Sequence, residues 1–439
     1  MTGLAKVLDG PPLVAYTYSY PHKTAHRPLD RPVLLRDLWA AEDRRSLFLY
    51  LHVPFCEHRC GYCNLFSLSG AKNVLVSRYL DAIARQADRV CAAMDGARFA
   101  RLAIGGGTPT LLDLAELERL LMAAAKIMGA STIAVPASVE VSPSTAASDK
   151  LARLRRFGVS RLSIGVQTFN SQEAIELGRP QPRKLVEEAL QAIRDIDFPV
   201  LNVDLMYGIP GQTTESWQES LRATLAWRPE EVFLYPLYVR PLTGLAGQPS
   251  RQEDWRAEAY LLGREALLDR GYVQRSMRMF RAPHAPPQES PPYRCQEDGT
   301  IGLGCGARSY TRALHYSTPF AVAQRQVRET IEWYAARTAD SFDWADHGFR
   351  LNDEDQRRRY VLLSLLECQG LARAAYVARF GSDSMADLPE LQTLAQHGLI
   401  EADSDRLRLT PRGLARSDAI GPWLYSAKVR QLMEAYVPC

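Results

Sequence analysis

The sequence predicts an α/β protein, a partial (β/α)6 TIM-like barrel followed by a C-terminal winged-helix-like α+β cap. Three observations carry this reading. Short β-rich runs alternate with helical patterns over residues 46–239, as parallel βα units require. Polar and glycine-rich residues concentrate directly after each run, at the sheet edge where ligands bind in such folds. After about residue 345 the alternation gives way to helices and a short hairpin.

The strands are expected at 46–53 (SLFLYLHV), 100–106 (ARLAIGG), 137–142 (ASVEVS), 160–167 (SRLSIGVQ), 200–210 (VLNVDLMYGIP) and 231–239 (EVFLYPLYV). Helical patterns separate them at 113–128, 145–158, 182–196 and 214–227. Six such units fit an incomplete barrel better than a closed eight-stranded one. Residues 282–300, rich in proline and polar side chains, read as a long loop or lid. Within 388–418 a helix, then GLIE, then the hairpin DRLRLTPRG resemble a winged-helix module; the mixed charges of EADSDRLRL favour a lid or structural role over DNA binding. The expected division is an N-terminal covering segment (1–45), the barrel (46–245), a barrel extension and lid (246–345) and the winged-helix-like domain (346–439).

A chain of 439 residues, 46% hydrophobic, is long enough for two or three domains. No window approaches 18 uninterrupted apolar residues, and the N-terminus lacks the charged-then-apolar pattern of a signal peptide, so a cytoplasmic protein is expected. With 53 Lys and Arg against 50 Asp and Glu, no electrostatic footprint for nucleic acid or membrane is visible. Five of the eight cysteines are scattered singly, which is not a disulfide framework. The other three, Cys56, Cys60 and Cys63, follow the first strand with C-x3-C-x2-C spacing.

Thiolates are soft ligands suited to zinc or iron–sulfur clusters. A structural zinc site should be closed by a fourth ligand, and His52 and His58 are near enough in sequence to make a zinc knuckle the alternative. A [4Fe–4S] cluster on three thiolates leaves one iron open, as catalysis requires. CEHRCGYC after a barrel strand resembles the signature of the radical SAM superfamily. In that family S-adenosylmethionine (SAM) completes the open iron, and an electron from the cluster cleaves the sulfonium to a 5′-deoxyadenosyl radical.

Further motifs narrow the resemblance. LYLHVPFCEHRCGYC, LAIGGGTPTLL, VEVSPST, RLSIGVQTFN, GRPQ, VDLMYGIPGQT and GLGCGARSY, in this order and spacing, are similar to the oxygen-independent coproporphyrinogen III oxidase family. That family includes haem chaperone-like members and class C radical SAM methyltransferases. The resemblance runs from about residue 46 to 317 and extends to the C-terminal module. It implies that Cys56, Cys60 and Cys63 ligate the cluster, that Tyr62, Gly106, Gly107 and Thr108 contact the cluster-bound SAM, and that Gln167, Arg179 and Asp204 do so as well. Tyr50 and Glu140 match positions that contact a second SAM, with Tyr50 among the catalytic residues. Read without the resemblance, Gly105–Gly107 suit close backbone approach to a ligand or a tight βα turn. Glu140, Gln167, Arg179 and Asp204 are polar groups at or just beyond strand ends, and their convergence favours a bound polar cofactor over four separate loop anchors.

The chain departs from the oxidases at Asn64–Phe66, where they carry a further cysteine two residues after the third. The N-terminal YTYSYPHKTAHRPL (16–29) and SMRMF (276–280) diverge too. Cys305 reads as a buried loop cysteine rather than a nucleophile, since no depressing base is identifiable. Arg308 stands where the oxidases have an apolar residue and chaperone-like members a histidine, and is either a carboxylate ligand or a surface arginine. The resulting expectation is methyl or methylene transfer from a second SAM to an sp2 carbon of a small-molecule substrate, including cyclopropane formation with a partner methyltransferase. An electron donor such as flavodoxin or ferredoxin is implied. Oxidative decarboxylation of a propionate side chain, and a non-catalytic haem-binding chaperone, are the alternatives.

Overall fold

A computed structural model describes residues 9–129, 135–247, 255–287 and 293–439. Residues 1–8 of the expected covering segment, 248–254 of the barrel extension and 288–292 of the expected lid lie outside the described residues. All six expected strands form: β1 (Leu47–Val53), β2 (Phe99–Gly106), β3 (Ala137–Val141), β4 (Val159–Gln167), β5 (Val200–Tyr207) and β6 (Glu231–Pro236). They pair in parallel in sequence order. The four expected helices form at Leu114–Met128, Ser148–Phe157, Arg183–Asp195 and Thr214–Ala226. Local chemistry sets their ends. Asp113 and Glu116 make a reciprocal capping box at the start of the first, and Gly158, at φ 100°, ends the second in a conformation glycine adopts without strain.

The period of two along each strand divides the residues between two environments. Leu47, Leu49, Leu51 and Val53 are fully covered, with the like residues of the other strands, in one large apolar core. The alternate set turns inward to the barrel axis and includes the polar Tyr50, Glu140, Ser163, Gln167, Asn202 and Asp204. Burying the first set, at roughly 25 cal/mol per Å² of apolar surface, holds the sheet; the second set is left to line an interior.

The parallel run is longer than the six units expected. Thr300–Leu303 adds a seventh parallel strand beside β1. Its four residues, one a glycine, are too few to show a period. Among the described residues, antiparallel strands extend both edges to give one open sheet of thirteen strands, with Arg27–Leu34 at one end and Val273–Gln274 at the other. A second core, around Tyr360, Leu365, Tyr376, Leu391, Leu407 and Ile420, belongs to the C-terminal module. There the hairpin Ile400–Ala402/Arg406–Leu409 and the short strand Leu371–Ala372 make a three-stranded sheet with helices around it. Tyr20 from the N-terminal segment is fully buried in that core and donates to Asp355 at 2.7 Å. Among the described residues no helix is long and apolar enough to cross a membrane.

Candidate active site

The cysteine loop leaves β1 through the short strand Phe55–Cys56. Its middle is clamped by backbone: Gly61 N–H donates to the Leu177 carbonyl at 2.7 Å, and Leu245 N–H donates to the Gly61 carbonyl at 2.8 Å. A methyl group at Gly61 would stand 3.1 Å from the Leu177 oxygen and 3.2 Å from Leu245 Cγ, so any side chain there would push its neighbours back by a few tenths of an ångström. Arg59 reaches across to the carbonyls of Leu242 and Val322, both at 2.9 Å. Neither Arg59 nor Gly61 was legible as a functional position, because their partners lie more than a hundred residues away.

Each thiol has its own neighbour. Arg179 Nη1 donates to Cys60 Sγ at 3.4 Å, Thr108 Oγ1 to Cys56 Sγ at 3.9 Å, and Cys63 Sγ lies 3.7 Å from Ser67 Oγ. Burial pushes the Cys56 thiol up to about 12 and raises Cys63. Burial acts on Cys60 in the same direction, but His58 and Arg179 outweigh it and draw that thiol down. The sulfurs feel one another electrostatically, Cys56 sensing both Cys63 and Cys60. Among the described residues no three His, Cys, Asp or Glu side chains gather closely enough to hold a single metal ion.

The glycine run docks on this loop. Gly107 N–H donates to the Val53 carbonyl and Thr108 N–H to the Phe55 carbonyl, both at 2.7 Å. Gly106 N–H donates to Glu140 Oε2 at 2.9 Å. A Cβ on Gly106 would strike the His52 ring at 2.5 Å, and its φ of 122° favours glycine independently. Gly106, Gly107, Thr108, Glu140 and the cysteine loop are therefore one assembly.

Gln167, the last residue of β4, sits at φ 69° beside a register shift, and its buried Oε1 has no hydrogen-bond partner. A strained backbone that presents an orphaned amide oxygen is the arrangement a polar ligand would satisfy. Arg179 lies next to it, with Nη2 donating to the Gly165 carbonyl at 2.9 Å. Asp204 stands within β5 rather than at its end, a correction to the sequence reading; inward alternation, not loop position, brings it to the interior. It accepts from Asn202 Nδ2 at 2.7 Å, and burial lifts its carboxyl to about 7. Glu140 is raised by burial as well, yet its own surface is uncovered, so it faces the barrel cavity. Tyr50 is 3.1 Å from His52 Nδ1, and its hydroxyl senses Glu140 and Arg308. Tyr62 packs against the small apolar cluster of Leu177, Met206, Ile209, Leu237 and Leu245.

Two residues change status. Cys305 is fully buried with its thiol raised by burial, as the sequence reading held. Arg308 is not a surface arginine. It is half-buried in the interior, where Nη1 donates to Tyr18 Oη at 3.0 Å. The divergent SMRMF run also finds a place, since Arg278 is buried and paired with Asp418 of the C-terminal module.

The donor set fits an iron–sulfur cluster with a bound SAM: three thiols on one clamped loop, a glycine ledge against it and the unpaired Gln167 amide nearby. The comparisons agree. A family model for the radical SAM superfamily matches residues 50–224, and one for the HemN C-terminal domain matches 351–416. The chain is similar to the heme chaperone HemW of Bacillus subtilis, 28% identical over 388 residues that cover 85% of this chain and 98% of the relative. It is also similar to the oxygen-independent coproporphyrinogen III oxidase of Paracoccus denitrificans, 29% identical over 418 residues, 90% of each. The solved coproporphyrinogen III oxidase (HemN) from Escherichia coli, a radical SAM enzyme, shares the fold with a TM-score of 0.74 at 23% identity, covering 96% of this chain and 98% of that one.

Proposed function

We propose that the chain, which matches the radical SAM superfamily and HemN C-terminal domain models and resembles HemW and the oxygen-independent coproporphyrinogen III oxidases, is a radical SAM enzyme using a [4Fe–4S] cluster held by Cys56, Cys60 and Cys63 to act on a small-molecule substrate inside the barrel. With SAM bound, that cluster would supply one-electron reductive cleavage of a sulfonium C–S bond, giving methionine and a 5′-deoxyadenosyl radical. The chain's own residues bind, orient and shield. Gly106, Gly107 and Thr108 offer backbone to the methionine end of SAM, and Gln167 offers its unpaired amide oxygen to a donor. Arg179 offsets the Cys60 charge, and Tyr62 closes the cluster side against water. Asp204 joins Gln167 and Arg179 toward the cluster-bound SAM, and Tyr50 and Glu140 contact a second SAM or the substrate.

The relatives favour oxidative decarboxylation or haem handling over the methyl transfer expected from the sequence. Between these, the orphaned Gln167 oxygen with the inward Glu140 and Asp204 carries the catalytic reading, since a cluster-bearing carrier has no need of a strained polar interior. The N-terminal segment and the C-terminal module act as covers for that interior.

The test is incubation of reconstituted protein with SAM and a reductant under strict anaerobiosis. Formation of 5′-deoxyadenosine, with carbon dioxide released from a carboxylate-bearing candidate, is the expected result. Deoxyadenosine together with S-adenosylhomocysteine would restore methyl transfer. No deoxyadenosine, with stoichiometric haem binding, would leave the chaperone.

A further inference from the structure

Arg308 opens the strand Arg308–Tyr310, and Gly302 lies between it and Tyr50 across the sheet. A methyl group on Gly302 would fall within 2.6 Å of the Arg308 carbonyl, so the two strands abut and Arg308 faces the same interior as Tyr50. Its Nη1 donates to Tyr18 Oη at 3.0 Å and reaches Ser19 Oγ at 3.4 Å. Among the described residues no hydrogen bond takes its Nε or Nη2, and no carboxylate pairs with it.

A second cation stands close by. Lys23 Nζ lies 3.7 Å from the centre of the Phe320 ring, and Arg308 and Lys23 together draw the Tyr18 phenol down to about 8 against the opposing effect of burial. The two cations also repel each other, and Lys23 is lowered by burial and by Arg308. Among the described residues no carboxylate acts on either cation, and the interior carboxylates described above have other hydrogen-bond partners: Glu140 accepts from Gly106 N–H, and Asp204 from Asn202 and Ser163. A Tyr18 phenolate would offset one positive charge, and near neutral pH the phenol is mostly protonated. Two neighbouring cations removed from water are costly without an anion.

The arrangement is held in place rather than improvised. Thr17 Oγ1 meets Tyr425 Oη at 3.1 Å and Tyr20 donates to Asp355 at 2.7 Å, so both flanks of Tyr18 are pinned to the C-terminal module. Tyr18 itself keeps 38% of its surface uncovered and faces the open space. An arginine with two free N–H edges beside a lysine is the pairing that recognises oxyacids bidentately.

We propose that the substrate carries an anionic oxyacid group, a carboxylate or phosphate, which binds between Arg308 and Lys23 beneath the N-terminal segment. This deepens the enzymatic reading above and rests on it for the word substrate; the anion site itself does not depend on it.

The test is a tyrosinate difference titration of cluster-loaded protein without reductant, with Tyr18→Phe subtracted to isolate Tyr18. Acetate, inorganic phosphate and SAM are compared with chloride at equal ionic strength. A negative charge seated beside Tyr18 disfavours the phenolate, so acetate or phosphate should raise its midpoint by about one unit, a tenfold change in the ionisation constant. Arg308→Gln should lose that response. Equal midpoints in chloride, acetate and phosphate would overturn the proposal, as would an undiminished response in Arg308→Gln. A response to SAM alone would also overturn it, by assigning the site to the SAM carboxylate. Deoxyadenosine is assayed in the same preparation. Its formation with no anion response sinks only this inference, and an anion response without it sinks only the radical chemistry.

Discussion

Arg179 places one guanidinium nitrogen 3.4 Å from the Cys60 sulfur while the other donates to the Gly165 carbonyl at 2.9 Å. One side chain thus ties the cysteine loop to the end of β4, where Gln167 is strained. Replacing Arg179 with Ala leaves the Cys60 thiolate without its cation and loses a charge-assisted hydrogen bond of about 2 kcal/mol. The cluster should then be lost to a chelator at least about tenfold more readily, with Arg179→Lys in between. Iron and sulfide analysis over a chelator time course measures this.

Alanine at Cys56, Cys60 or Cys63 should abolish the iron–sulfur chromophore. Cys305→Ala should retain it and lose only about 1 kcal/mol of stability, from the packing of one small buried side chain. Absorbance and urea unfolding of the four variants side by side test both halves. A Cys305 variant without chromophore would contradict the assignment.

Gln167 combines a φ of 69° with an unpaired amide oxygen. Glycine there relieves the backbone and deletes the amide. Gln167→Gly should be as stable as the parent or more so, by up to about 1 kcal/mol, while its affinity for SAM falls about tenfold. Thermal unfolding and equilibrium SAM binding read the two effects separately.

Asp204 ionises near 3.8 in the unfolded chain and at about 7 in the folded one, chiefly through burial. Between those values the folded state holds the extra proton, so stability falls as pH rises through that window and levels off above it. Asp204→Asn removes this decline. Relative to the parent it should gain stability between about pH 4 and pH 8, by up to about 4 kcal/mol. Denaturant midpoints at several pH values test the slope; a parallel shift at all pH values would contradict it.

Arg278 and Asp418 form an ion pair with side chains 3% and 1% exposed, linking the barrel edge to the C-terminal module. Asp418→Ala strands a buried guanidinium and should cost about 3–5 kcal/mol. The double variant Arg278→Met/Asp418→Leu should recover most of that loss, which a double-mutant cycle in urea would show.

Much of the fold was legible because local sequence carries it. The period of two in SLFLYLHV and its five counterparts, with a helical pattern after four of them, is set by which side chains must leave water, and this holds whatever the tertiary arrangement. Cysteine spacing in CEHRCGYC is equally local, and three thiols within eight residues already restrict the chemistry. Thr300–Leu303 escaped because four residues carry no period, and Asp204 was misplaced because only the sheet register shows which strand positions face the axis.

What the sequence alone determined was the parallel α/β plan, the three-cysteine loop and the glycine ledge beside it. Tertiary structure alone decided the surroundings. Gly61 lies between Leu177 and Leu245, Arg278 against Asp418, and Arg308 beside Tyr18, a residue 290 positions earlier. The reason is physical: a charge taken from water must find its partner in space, and partners brought together by folding leave no periodic trace along the chain.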